Sequence, residues 1–126
     1  MTKLSKTEEQ LMQYLWDLGD GQMKDILDLY DDPKPATTTI ATLLKRIRDK
    51  GFIDYNTEGK ARRYFPIVKK SDYFSSQFKG IIHNFFGDSV SQFASFFTES
   101  ADLSKEELEQ LREVIDHQIE KKNKEQ

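Results

Sequence analysis

The sequence predicts a mainly α-helical protein of the α+β class, with three helices and a β-hairpin in its N-terminal half and helices alone in its C-terminal half. Two observations predict this class. Apolar residues recur at helical spacing in six segments, and two short runs of aromatic and branched residues, joined by a link that contains Gly59, stand between the third and fourth segments. We expect two domains, over residues 1–70 and 71–126.

The first two helices have clear boundaries in the sequence. The first is predicted over residues 5–18, because Ser5 and Glu8 form a capping-box pattern ahead of an apolar series. That series consists of Leu11, Tyr14, Leu15 and Leu18, with Met12 and Trp16 beside it. Glycines 19 and 21 end this helix. A short second helix is predicted from Met23 to about Tyr30, where two nearby prolines prevent its continuation.

The third helix and the hairpin complete the N-terminal half. The helix is predicted from about Thr37 to Lys50, with Gly51 as its left-handed C-cap. Its core face, spaced as i, i+3, i+4 and i+7, consists of Ile40, Leu43, Leu44 and Ile47. The strands are predicted over residues 52–56 and 61–68, with Pro66 at a strand end or a sheet edge. This order is typical of a winged helix-turn-helix domain, in which the third helix reads DNA and the hairpin is the wing.

Charge is distributed unevenly along a chain whose net charge is −3. Residues 33–70 contain ten Lys or Arg and three acidic residues, a net charge of +7, whereas residues 71–126 carry about −5. A basic segment inside an acidic chain is a local electrostatic footprint that the net charge conceals, although such a segment can also be a solvated face. The distribution favours a nucleic-acid partner.

The outward side of the third helix carries short side chains and a few cations, which suits a helix that enters the major groove. A threonine offers a hydroxyl to bases or phosphates and a methyl to thymine, and the N–H groups at the helix start favour a phosphate. We therefore predict double-stranded DNA as the partner, read through Thr37, Thr38, Thr39, Thr42, Lys45 and Arg46. The wing is predicted to hold the DNA backbone or the minor groove through Lys60, Arg62 and Arg63. The alternatives are that Thr37 is only an N-cap and that the two arginines form a solvated strand edge.

The C-terminal half concentrates aromatic rings, since seven of the nine phenylalanines lie between residues 74 and 97. We predict a helix from Ser71, an interruption at Gly87, a short helix around Phe93 and a last helix that starts at the capping box of Ser104 and Glu107. Short helices cannot bury so many rings alone, so we expect a two-fold homodimer, with a minority of rings under the N-terminal domain. The predicted dimer contacts are Phe78, Phe85, Phe86, Phe93, Phe97, Leu108, Leu111 and Ile115.

Several functional classes are excluded by the sequence. Cysteine is absent, which removes disulfides, thiol nucleophiles and thiolate metal sites. His83 and His117 have no matched ligand cluster, and no P-loop, HExxH or G-x-S-x-G motif is present, so we expect no metal, no other cofactor and no enzyme. There is neither a membrane-spanning apolar run nor the apolar core of a signal peptide, so we expect a cytoplasmic protein.

Four blocks resemble the penicillinase-repressor (BlaI/MecI/CopY) family and cover nearly the whole chain: "LSKTEEQLMQYLWDLGDGQMKDIL", "TTTIATLLKRIRDKGFIDY", "GKARRYFPIVKKSDY" and "DLSKEELEQLREVI". The specific features are a tryptophan late in the first helix, the T-x-x-T-L-L-x-R-L-like third helix and the R-Y-F/Y-P end of the wing. The resemblance implies a dimeric repressor whose winged helices bind a palindromic operator and whose C-terminal helices form the dimer. It also implies, as a partner, a membrane-bound metallopeptidase sensor whose signal ends in cleavage of the repressor's C-terminal domain.

Three features depart from the pattern of that family. Thr38 and Ala41 stand where the family often carries basic residues, so the operator sequence should differ. The resistance repressors are cut at an Asn-Phe pair before the last helix, and the matching place here reads Phe96-Phe97. The cysteine-rich tail of the copper-responsive branch is missing, which excludes copper sensing by that route.

Two other functions stay open at this point. A MarR-like regulator would bind a small apolar effector among Phe78, Phe85, Phe93 and Phe97, and the effector would weaken DNA binding without proteolysis. A winged-helix protein-interaction module would bind its partner with little dependence on salt, whereas affinity for DNA falls steeply as salt rises.

Overall fold

The computed structural model describes residues 1–125 and places six helices and three strands in them. In chain order these are α1 (Lys6–Leu18), β1 (Gly21–Gln22), α2 (Met23–Leu27), α3 (Thr37–Asp49), β2 (Ile53–Glu58), β3 (Ala61–Pro66), α4 (Lys70–Phe86), α5 (Val90–Ser100) and α6 (Lys105–Lys124). The chain divides into two compact units, residues 1–78 and the residues from 79 onward. The predicted mainly helical α+β class is confirmed, and the functional division at residue 70 stays a prediction.

Helix α1 begins and ends where the sequence predicts. The Glu8 N–H donates to Ser5 Oγ at 3.2 Å, and the Ser5 N–H donates to the Glu8 carboxylate at 2.7 Å, which completes the capping box. Gly19 ends the helix with a φ of 82°. Leu18, the last member of the apolar series, is exposed because it lies in the last turn at the margin of the packed face. The buried face consists of Glu8, Leu11, Met12 and Leu15.

Helix α2 is shorter than predicted and ends at Leu27 instead of Tyr30. The Nζ of Lys34 donates to the carbonyl groups of Leu27 at 3.1 Å and of Tyr30 at 2.7 Å. The carbonyls that a further helical turn would have paired are therefore satisfied by a lysine from the following loop. Apolar periodicity does not show this cap, because the cap is made by a polar side chain seven residues from Leu27 and four residues from Tyr30.

The strands form a three-stranded antiparallel sheet in the order β1-β3-β2. The β2–β3 hairpin turns through Gly59, at a φ of 62°, and Lys60. Its boundaries differ from the prediction, because β2 extends to Glu58 and β3 stops at Pro66. Strand β1 was not predicted, since its two residues are too few to show a period. They pair with Tyr64 and Arg63 of β3.

One apolar core holds the N-terminal unit together. It consists of Leu4, Leu11, Met12, Leu15, Ile26, Ile40, Leu44, Ile47, Phe52, Ile53, Tyr64 and Tyr73. The predicted core face of α3 is confirmed at Ile40, Leu44 and Ile47, and Leu43 is partly buried. This face fixes the rotation of α3 about its axis and leaves the opposite side open to solvent.

The start of α4 is anchored to this core by Tyr73, which is completely buried. Its ring meets that of Phe52 edge-on, with centroids 5.5 Å apart. The Tyr73 hydroxyl accepts a hydrogen bond from the Leu4 N–H at 3.0 Å and donates one to Glu9 Oε2 at 2.7 Å. Burial and the hydrogen bond to Glu9 raise the pKa of Tyr73 to about 12, so the hydroxyl remains protonated at neutral pH.

The carboxylate of Glu8 is the buried charge of this core. Lys50 Nζ lies 2.6 Å from Glu8 Oε1 and ties the end of α3 to the start of α1. Burial alone would raise the pKa of Glu8, but hydrogen bonds from Lys50 and Ser5 outweigh it and hold the pKa below its ordinary value.

The C-terminal unit follows the predicted helices closely. Gly87 interrupts the helical run with a φ of 55°, and Ser104 and Glu107 form the predicted capping box of α6. None of the residues of helices α5 and α6, all of which lie within residues 1–125, is buried. Residues 79–125 therefore form no buried core comparable with the core of residues 1–78.

We predict that Tyr73→Phe lowers the free energy of unfolding by roughly 1–3 kcal/mol, because the buried Leu4 N–H loses its acceptor. Urea denaturation of the full chain measures the change. The matched control is Tyr14→Phe, whose hydroxyl accepts only an exposed hydrogen bond from Gln10. Equal stability changes in the two variants would contradict the buried role of the Tyr73 hydroxyl.

We predict that Lys50→Met lowers the free energy of unfolding at neutral pH by roughly 1–3 kcal/mol, because the buried Glu8 carboxylate loses its cation. In the unmodified chain the pKa of Glu8 is lowered, so the stability from this pair is present above the ordinary pKa of 4.5 and is lost as pH falls through the folded value. The difference between the two chains should therefore shrink as pH falls below 4.5.

Denaturation at several pH values tests this dependence, with Lys6→Met as the control because Lys6 is exposed on α1. A difference in stability between Lys50→Met and the unmodified chain that stays constant from neutral to acidic pH would contradict the assignment to Glu8.

Candidate nucleic-acid interface

The exposed side of α3 carries every residue that the sequence assigns to groove reading. Thr37, Thr38, Thr39, Thr42, Lys45 and Arg46 are all exposed. The N-cap of α3 is Ala36, so the alternative that Thr37 acts only as an N-cap is wrong. Alanine has no side-chain acceptor, and it therefore leaves the first N–H groups of α3 without a side-chain cap.

Two predicted groove residues have partners within α3 itself. Thr42 Oγ1 donates to the Thr38 carbonyl at 2.9 Å, so its methyl group and the acceptor side of its hydroxyl remain available. Lys45 Nζ lies 3.2 Å from Asp49 Oδ2 in an exposed ion pair one helical turn apart. An exposed pair of this kind contributes little stability, so a phosphate can replace its carboxylate at low cost.

The wing arginines have different surroundings. Arg63 lies 2.7 Å from Glu58 through Nε and 2.8 Å from Asp20 through Nη1, and hydrogen bonds from Gln22 and Arg63 hold the pKa of Glu58 below its usual range. Lys60 and Arg62, by contrast, have no carboxylate partner among residues 1–125. The cations of the wing that are free to meet an external anion are therefore Lys60 and Arg62.

Two concave surfaces bring α3 and the wing together, and Arg62 lines both. One cavity, of about 290 Å³, is lined by Ala41, Leu44, Lys45, Arg48, Asp49, Tyr55, Arg62 and Tyr64. The other, of about 470 Å³, is lined by Gln22, Met23, Lys24, Leu27, Thr37, Lys60, Ala61, Arg62 and Tyr64. The structure therefore groups Lys45 with Arg62 and Thr37 with Lys60.

The DNA-binding residues predicted from the sequence include neither Tyr55 nor Arg48. The guanidinium carbons of Arg48 and Arg62 lie 4.7 and 4.3 Å from the centroid of the Tyr55 ring. Arg48 also donates to Asp54 at 2.9 Å, which holds the pKa of that carboxyl below its usual range. The hairpin register would have revealed this cluster, because Tyr55 lies opposite Tyr64 and diagonal to Arg62 on one face.

The C-terminal unit exposes an apolar aromatic surface. Phe86 meets Phe93 and Phe96 with centroids 5.6 Å apart in each case, and Phe93 stacks on Phe97 at 6.2 Å. Phe85 nevertheless remains 77% exposed. Of the other predicted dimer contacts, Phe78, Phe97, Leu108 and Ile115 are exposed, and Phe86, Phe93 and Leu111 are partly buried.

Residues 1–125 contain neither a metal-binding cluster nor a membrane span. No group of three or more His, Cys, Asp or Glu residues in this range could hold a metal ion. No helix in the same range is both long and apolar enough to cross a membrane.

Comparisons with known proteins agree with this geometry. The profile of a family described as "Penicillinase repressor" matches residues 4–117. The chain is 28% identical over 114 residues to the methicillin resistance regulatory protein MecI of Staphylococcus aureus (strain N315), covering 90% of this chain and 93% of MecI. It is 24% identical over 115 residues to the penicillinase repressor of Bacillus licheniformis, covering 90% of each.

A solved structure is similar to the N-terminal part of the fold. The solution structure of the DNA-binding domain of the repressor BlaI aligns with a TM-score of 0.50 and 26% identity, over 58% of this chain and 94% of that one. The winged helix-turn-helix fold predicted from the order of helices and hairpin is therefore confirmed.

Proposed function

Because the chain belongs to the penicillinase repressor family, we propose that it represses transcription by binding a palindromic operator as a homodimer and that a signal acting on its C-terminal unit releases it. Its similarity to MecI and to the penicillinase repressor supports the general function of a DNA-binding repressor of the MecI and BlaI type. These relatives are regulators and not enzymes, in agreement with the prediction from the missing catalytic motifs.

One observation carries the DNA-binding part of the proposal. Helix α3 is fixed by Ile40, Leu44 and Ile47 in the core, and its opposite side presents short threonines and cations beside the wing. A helix with short leading side chains can approach base edges in the major groove, while cations at its end and on the wing bind phosphates. We assign groove reading to Thr37, Thr38, Thr39, Thr42, Lys45 and Arg46, and backbone contacts to Lys60, Arg62 and Arg63.

The three wing cations differ in their readiness to bind a phosphate. Lys60 and Arg62 have no competing carboxylate among residues 1–125, whereas Arg63 would have to leave Glu58 and Asp20. Arg63 should therefore bind a phosphate less readily than the other two cations, and its ion pairs hold the hairpin against the connection between α1 and β1.

The dimer is proposed from the exposed rings of the C-terminal unit. Clusters of exposed apolar side chains are typical of association surfaces, and a two-fold pairing would cover the same face on both chains. Two winged domains in one assembly would also contact two half-sites, which is the reason for a palindromic operator.

Release by a membrane-bound metallopeptidase sensor is proposed from the family alone. Phe96 and Phe97 lie inside α5, so cleavage at that place would require local opening of the helix before a peptidase could bind the backbone. A signal that opens α5 and breaks the dimer would release the DNA.

A salt-series gel shift with the chain's own upstream promoter DNA, in excess competitor, tests the proposal together with a mass measurement in solution. We expect a dimer whose affinity falls as salt rises. Binding that is indifferent to salt would favour the protein-interaction module instead, and a ligand that weakens DNA binding while the chain stays intact would favour the MarR-like regulator.

We predict that the double variant Thr42→Ala, Lys45→Ala binds the upstream promoter DNA more weakly than the unmodified chain. The slope of log affinity against log salt concentration should become shallower by about 0.9 for each phosphate that the variant no longer neutralises. The matched control is Thr98→Ala, Lys122→Ala, because Thr98 makes the same hydrogen bond to a carbonyl four residues earlier and Lys122 also has an exposed carboxylate partner. Unchanged affinity of the α3 variant would make the groove assignment wrong.

We predict that Phe85→Glu converts the dimer into a monomer near 14.8 kDa, since a buried interface cannot accept an unpaired carboxylate. Sedimentation equilibrium measures the mass. Ile67→Glu is the control, because Ile67 is an exposed apolar residue of the N-terminal unit. A dimer that persists in Phe85→Glu, or an unmodified chain that is monomeric, would contradict the proposed interface.

A further inference from the structure

Tyr55 joins the recognition helix to the wing through two arginines. Arg48 comes from α3 and Arg62 from β3, and both guanidinium groups lie over its ring at 4.7 and 4.3 Å. The face of an aromatic ring attracts a cation because of its quadrupole. Two like charges are thereby held at one ring, and this costs energy unless an anion compensates them.

The compensation is unequal for the two arginines. Arg48 has the Asp54 carboxylate at 2.9 Å. Arg62 has no carboxylate within ion-pair distance among residues 1–125. The unmatched positive charge at this ring therefore belongs to Arg62, and it lies in the cavity of about 290 Å³ between α3 and the hairpin.

The ring itself is well held. Tyr55 packs against the core and lies 5.6 Å from the ring of Tyr64, which is buried and opposite it in the β2–β3 register. A side chain fixed in this way is a rigid platform, whereas an unsupported arginine would sample many rotamers and lose that freedom on binding.

The contact between the Arg62 guanidinium and the Tyr55 ring leaves the N–H donors of Arg62 available to bind a phosphate. A guanidinium that stacks through its face keeps its N–H donors in its own plane, where they can form the bidentate hydrogen bonds that phosphate favours. Arg63 is the counterexample on the same strand, because its Nε and Nη1 donors are taken by Glu58 and Asp20.

We propose that Tyr55 is a positioning residue for DNA binding, whose ring orients Arg62 toward a backbone phosphate in the cavity between α3 and the wing, with Arg48 completing the cluster. This inference rests on the proposed DNA-binding function. Tyr55 would make no hydrogen bond to DNA and would act only through the contact between its ring face and the Arg62 guanidinium.

The test uses the full chain and a mixed-sequence DNA duplex at low salt, since a phosphate contact does not depend on base sequence. Fluorescence anisotropy gives the affinity of the unmodified chain, Tyr55→Phe, Tyr55→Leu, Arg62→Ala and the double variant Tyr55→Leu, Arg62→Ala. Urea denaturation gives their stabilities. Phe65→Leu controls for the loss of a ring from the same hairpin, because no guanidinium of residues 1–125 lies over Phe65.

We expect Tyr55→Phe to bind like the unmodified chain, because it keeps the ring face. Tyr55→Leu should bind roughly 2- to 5-fold more weakly for each wing that contacts DNA, and most of that loss should disappear in the Arg62→Ala background. Phe65→Leu should bind normally. A role in stability alone cannot produce both the rescue by phenylalanine and this loss of effect without Arg62.

Two results would overturn the inference while the proposed function stands: equal losses in Tyr55→Phe and Tyr55→Leu, or losses from Tyr55→Leu and Arg62→Ala that simply multiply in the double variant. Absence of salt-dependent binding by the unmodified chain would overturn the inference and the proposed function together.

Discussion

The burial of one face of α3 is the constraint on which the rest of the candidate interface depends. Ile40, Leu44 and Ile47 lock that face into the core, and the Lys50–Glu8 ion pair ties its C-terminal end to α1. A helix held in this way cannot rotate without exposing apolar area. Its threonines and cations are therefore presented in a fixed direction, and the hairpin that follows is fixed beside them.

The charges around α3 and the wing fall into two groups with different consequences. Lys45, Arg48 and Arg63 have carboxylate partners within the protein, while Lys60 and Arg62 have none among residues 1–125. We expect the local carboxylates to weaken non-specific attraction to other polyanions, and the unpaired cations to bind the DNA phosphates that lie next to them. In our proposal the aromatic ring of Tyr55, 4.3 Å from the Arg62 guanidinium carbon, orients that side chain without a carboxylate.

The sequence predicted those features that depend on local periodicity and on capping. The bounds of α1, the core face of α3 and the order of helices and hairpin all follow from residues close in the chain. The early end of α2 depends on a polar contact of Lys34 that apolar periodicity does not show. The pairing of β1 with β3 depends on residues far apart in the chain, which a local period cannot reveal. The sequence predicted Arg62 because its positive charge is known from the residue type alone. It did not predict Tyr55, because the contact between the Tyr55 ring and Arg62 depends on the strand register.

We propose that two copies of α3 enter successive major grooves of one operator. Chemical footprinting with a major-groove guanine probe and a backbone probe, on the DNA that the chain binds most tightly, tests it directly. We expect two symmetry-related patches of major-groove protection, separated by one helical turn of roughly 10 base pairs or a multiple of it. The wing should add backbone protection beside each patch. A single patch, or backbone protection without any in the major groove, would contradict it.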